Sequence, residues 1–120
     1  MTQILIDKIN KSREQTVVAG GLSFIVRRPT DLDVLEMRGK TISKPERVLL
    51  KEFVVDWMGV TELDLIPGGT PKPVAFDAEV FLVWVADRPE IYAVLLEHII
   101  NAYKLHEQQR EAELKKPDAG

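Results

Sequence analysis

The run Val80-Phe81-Leu82-Val83-Trp84-Val85-Ala86 constrains this chain more than any other feature. Seven consecutive apolar residues cover every side of a helix, so a helix built from them has no polar face to give to water. Asp77 stands where a cap is needed, and Asp87-Arg88-Pro89-Glu90 restarts the chain in a second helix. With Ile91 at 0°, the residues Val94, Leu95, Leu96, Ile99, Ile100, Ala102, Tyr103 and Leu105 fill an arc of about 240°. Two neighbouring helices thus carry an unusual load of apolar surface. With 120 residues, of which 45% are apolar and 29% charged, the chain has material for a single core to receive them.

Upstream, Thr16-Val17-Val18-Ala19 and Leu22-Ser23-Phe24-Ile25-Val26-Arg27 flank Gly20-Gly21. Two β-prone runs around a glycine pair predict a hairpin, since both glycines adopt positive φ without steric cost. Thr30 caps a short helix with Asp31 and Asp33 in its first turn, and Ser43-Lys44-Pro45-Glu46 has the form of a capping box. Behind that box, Leu49, Phe53 and Trp57 share one helical face. Pro67-Gly68-Gly69-Thr70-Pro71-Lys72-Pro73 is a loop. Ile4, Leu5, Ile6 and Ile9 suit a helix or a strand equally well, so residues 1–15 are left unplaced.

The expected fold is α+β, mainly α: one domain over 1–114 with an N-terminal hairpin at about 16–28. Helices are expected at 30–38, 44–58, 77–87 and 89–114, with a flexible tail over 115–120. Phe24, Leu49, Phe53, Trp57, Phe76, Leu82 and Leu95 are the expected core anchors.

Few residues offer chemistry. There is no cysteine, hence no disulfide, cysteine nucleophile or thiolate metal site. His98 and His106 lie eight residues apart on the last helix, too far for a shared metal ion. Asp56, Glu62, Asp64, Asp77 and Glu79 read as caps and turn residues. No glycine pair opens a phosphate-binding helix, and Ser12, Ser23 and Ser43 sit in no nucleophile elbow. The expectation is a non-enzyme without cofactor or metal. A net charge of −3 and dispersed basic residues argue against nucleic acid. No apolar run reaches bilayer length, and Met1–Asp7 lacks the basic start of a signal peptide. What remains is surplus apolar surface on the last two helices. Trp84, Val85, Ile100 and Tyr103 are the candidate partner-binding residues, and weak self-association is expected.

The order of features from Phe24 to Tyr103 resembles the small tail assembly chaperones of long-tailed bacteriophages. The resemblance lies in Phe24-Ile25-Val26-Arg27-Arg28-Pro29-Thr30 leading into a helix, then Trp57-Met58-Gly59-Val60 and an irregular loop. Val74-Ala75-Phe76-Asp77-Ala78-Glu79, an apolar helix, Pro89 and a final helix follow. The loop from Ile66 to Pro73 departs from the shorter turn of that family. The resemblance implies a non-catalytic protein of the host bacterial cytoplasm, working in virion morphogenesis. It would keep the long helical tape-measure protein soluble and help recruit tail-tube protein. Two other readings fit the same composition: a structural head–tail joining or tail-terminator subunit, and a bacterial helical regulatory or adaptor protein.

Overall fold

The computed structural model describes residues 1–38 and 46–115, and at residues 38 and 46–49 the backbone alone. It is α+β and mainly α, with a three-stranded antiparallel sheet near the N-terminus and a long C-terminal helix. The order is α1 (Thr2–Ser12), β1 (Glu14–Ala19), β2 (Leu22–Arg27), α2 (Asp31–Arg38) and α3 (Glu46–Phe53). Then come β3 (Val54–Met58), α4 (Glu62–Leu65), α5 (Ala78–Val85) and α6 (Pro89–Lys115).

The hairpin forms where Gly20-Gly21 predicts it, with φ of +58° and +77° at the two glycines. In β1 the residues Val17 and Ala19 are buried, and in β2 Phe24 and Val26. One sheet face is therefore apolar, and α6 packs across it on β1 and β2.

The helix expected over 44–58 is corrected. α3 ends at Phe53, and Val54–Met58 is the third strand, antiparallel to β2. The β-branched pair Val54-Val55 favours an extended chain at that point. The register pairs Phe24 with Trp57, Ile25 with Asp56 and Val26 with Val54, so Val55 bulges out of the ladder. The bulge lets Val54 and Trp57, three residues apart, face the core together. That spacing imitates a helical face in the sequence. The expected helix start at 44–45 lies outside the described residues, as does the Leu49 side chain.

Other expected starts are present. Thr30 Oγ1 accepts from the Asp33 N–H at 3.1 Å, and Asp33 Oδ2 accepts from the Thr30 N–H at 2.9 Å. Asp77 Oδ1 accepts from the N–H groups of Glu79 and Val80. The final helix opens at Pro89 and runs to Lys115, so the expected tail keeps only 116–120, which lie outside the described residues. Residues 2–12, unplaced by sequence, are α1, in which no residue is buried.

The core joins the sheet to α3, α5 and α6. Phe24, Phe53, Trp57 and Leu95 are buried in it, while Phe76 and Leu82 pack against it half-buried. Phe81 stands edge-on to Phe24 at 5.9 Å between ring centroids, and Trp84 lies 6.1 Å from Phe24. Trp57 donates its indole N–H to the Val74 carbonyl at 2.7 Å and meets Phe76 edge-on at 5.1 Å. These contacts hold the 66–77 loop against the sheet. Each fully buried Phe, Leu or Val contributes about 1.5–3 kcal/mol.

A Cβ placed on Gly20 would stand 2.6 Å from Ile91 Cδ1, whereas one on Gly21 would meet nothing within 4 Å. Both positions carry the left-handed backbone penalty, but only the first adds an overlap with α6. Gly20→Ala is therefore expected to destabilise by about 1–3 kcal/mol and by more than Gly21→Ala. Equal urea midpoints for the two variants would show that the hairpin turn does not press on Ile91.

Candidate functional site

Of the four candidate partner residues, Trp84 and Val85 are inside the protomer at 8% and 2% exposure. The buried stripe of α5 is Phe81, Trp84 and Val85, an arc of about 100°. It belongs to the core cluster, so these two are core residues, with only an edge of Trp84 showing in the cleft beside α5. The opposite side of α5 is open: Val83 is 77% exposed, with Val80 beside it and Ile66 across a shallow cleft. Arg88 lies over the Trp84 ring at 4.5 Å from its centroid, while the buried Trp84 indole nitrogen has no hydrogen-bond partner among the described residues.

Ile100 and Tyr103 are placed differently. Ile100 is 44% exposed and Tyr103 half-buried, and both line a trough of about 250 Å³. Its walls are Val34 and Met37 of α2, Phe53 at the end of α3, and Leu96, Ile100 and Tyr103 of α6. Leu96, Ile100 and Tyr103 recur at four and three residues along one helix face. Lys104 and Glu107 mark its rim with opposite charges.

A polar clamp fixes one end of this trough. Asp31, the first residue of α2, accepts from the Tyr103 hydroxyl at 3.1 Å and pairs with Arg110. His106 Nε2 stands 3.2 Å from the same carboxylate. Burial, and next the Arg28 guanidinium, hold His106 below the ordinary histidine value; Glu107 opposes this and Arg13 adds to it. The neutral imidazole therefore donates to Asp31, whose charge is already matched by Arg110. His98, on the apolar arc by sequence, is exposed, and its carbonyl accepts from Gln15.

The acidic residues act locally. Asp64 completes a capping box with Thr61, Glu62 accepts from the Thr70 N–H, and Glu79 pairs with Lys51. Among the described residues no group of three or more His, Cys, Asp or Glu side chains is placed to hold a metal ion. No helix among them is long and apolar enough to cross a membrane.

Sequence reasoning pointed to Ile100 and Tyr103 but missed Val34, Met37 and the Asp31 clamp. Asp31 and His106 are 75 residues apart, and no spacing rule connects them. The i, i+3 spacing of Val34 and Met37 was the available signal for them; Leu32 and Leu35 of the same helix are exposed. Comparison with family models, with curated proteins and with solved structures gives no match.

The lowered His106 value fixes a sign. Between the ordinary histidine pKa and the lower folded value, the unfolded chain binds more protons than the folded one. Stability supplied by neutral His106 is thus complete above that window and declines as pH falls through it. His106→Asn is expected to flatten the dependence of the urea midpoint on pH below neutrality. An unchanged slope in this variant would contradict the assignment.

Proposed function

We propose that this protein is a tail assembly chaperone of a long-tailed bacteriophage, a non-catalytic protein that binds the helical tape-measure protein through the trough beside α6. The trough at Ile100 and Tyr103 is the observation that carries this reading. It is an open apolar channel with two helical walls and a charged rim, the form that takes an amphipathic helix by its apolar stripe. A long amphipathic helix in water needs that stripe covered until its final partner arrives, and a small acidic protein with unfilled apolar surface supplies the cover.

The remaining exposed apolar residues suit the same work. In α1, Leu5, Ile6 and Ile9 fall within an arc of about 100° and all stay exposed. Val80 and Val83 of α5 give a second patch. Several shallow apolar contacts suit a client that is bound along its length and later released, because each adds affinity without a deep pocket. Recruitment of tail-tube protein and weak self-association belong to the same proposal.

Co-expression with tape-measure segments tests it. The chaperone is expected to keep such segments soluble and to co-purify with them. Ile100→Asp, at a half-exposed position, should leave the fold intact and weaken the complex at least tenfold, as expected for a central contact. A soluble tape-measure segment without the chaperone, or full binding by Ile100→Asp, would overturn the reading. So would recovery of this protein from purified virions in stoichiometric amount.

A further inference from the structure

At the open end of the hairpin, Arg13 and Arg28 have no ion-pair partner among the described residues. The β1–β2 register pairs Glu14 with Arg27, and one step further out the Arg28 N–H donates to the Arg13 carbonyl at 2.9 Å. Arg28 follows Phe24 and Val26 at the two-residue step of β2, and Arg13, the αR residue that ends α1, joins it in lining a cleft against Ala102, Leu105 and His106 of α6. Both guanidinium groups thus lie on the side of the sheet that α6 covers, at the point where its apolar surface ends. Like charges directly opposite one another on an antiparallel pair are destabilising. Arg28 accordingly stands below the ordinary arginine value, through burial first and Arg13 second, while Tyr103 opposes the shift.

The nearby carboxylates are engaged elsewhere. Glu14 pairs with Arg27 at 3.1 Å, and Asp31 is held by Arg110, Tyr103 and His106. Among the described residues no carboxylate lies within ion-pair distance of Arg13 or Arg28. The two arginines, with Gln15, His106 and Gln109, line a cleft of about 230 Å³ between the hairpin end and α6; Glu14 lines it too, with its carboxylate paired to Arg27, so the wall carries two cations beside one matched anion.

We propose that this cleft is a carboxylate-binding subsite, which receives the side chain of a glutamate or aspartate from a bound polypeptide. Arg28 spends one donor, from Nη1, on the Pro29 carbonyl and Gln15 one on the His98 carbonyl; the remaining guanidinium N–H groups of Arg13 and Arg28 suit a carboxylate, and the Gln109 amide adds a neutral donor. A polypeptide is favoured over free phosphate by the cleft's apolar border. Leu105, 54% exposed, and Ala102 line it, and the exposed Ile9 stands on α1 one turn before Ser12 at its edge. The identity of the polypeptide rests on the function proposed above, whereas the site itself does not.

The test uses the full chain and three probes at constant ionic strength: N-acetyl-glutamate amide, N-acetyl-glutamine amide and inorganic phosphate. Binding is followed through the His106 ring signals by NMR. The glutamate probe is expected to give a saturable shift and the glutamine probe none. Arg13→Gln should weaken the glutamate probe at least tenfold while its melting midpoint holds or rises, because a like-charge repulsion is removed. Arg13→Lys should keep part of the affinity, having the charge without the fork. A lower melting midpoint for Arg13→Gln, or unchanged binding in it, would overturn the proposal, as would the absence of any saturable shift. Saturation by phosphate without the glutamate probe would overturn the carboxylate assignment. Each of these failures leaves binding of tape-measure segments at the trough unaffected, so the two readings fall separately.

Discussion

The bulge at Val55 is the constraint on which the rest of the molecule depends. Without it, strand alternation would turn either Val54 or Trp57 to water. With it, Val54 faces Val26 and Trp57 faces Phe24, so β3 delivers two large side chains to one face within four residues. The Trp57 indole then fastens Val74, and the Phe76 ring follows. That fastening sets the point from which α5 departs at Asp77. The position of α5 in turn brings Phe81 and Trp84 onto Phe24. A local irregularity in one edge strand thus fixes where the apolar helix sits.

Much of this was written in local chemistry. Gly20-Gly21 marked the hairpin because few other pairs take two successive positive φ values. Thr30, Asp77 and Pro89 marked helix starts because each satisfies, or lacks, an N–H that a first turn leaves open. β3 was obscured for a physical reason: a bulge converts the two-residue repeat of a strand into a three-residue step, which looks like part of a helical turn. α1 was obscured because four apolar residues in eleven are too few for periodicity to choose. The trough was obscured because its walls come from residues 34–37, 53 and 96–103, which only the tertiary arrangement brings together.

The apolar excess of the last two helices divides in an instructive way. α5 hides Phe81, Trp84 and Val85 but leaves Val80 and Val83 outside. α6 hides Ile91, Leu95 and Ile99 at four-residue spacing and leaves Ile100 and Leu105 outside. Reading an arc of apolar residues as a whole could not assign individual positions, because a single sheet covers one side of a helix and the helices beside it cover only part of the rest.

The buried residues of α6 all fall within its first eleven positions, and beyond them the helix is tied to the body mainly through Asp31. Apolar packing carries no charge for salt to screen, while a partly exposed carboxylate–guanidinium tie weakens as salt rises. The far half of this one helix therefore answers to ionic strength and its near half does not.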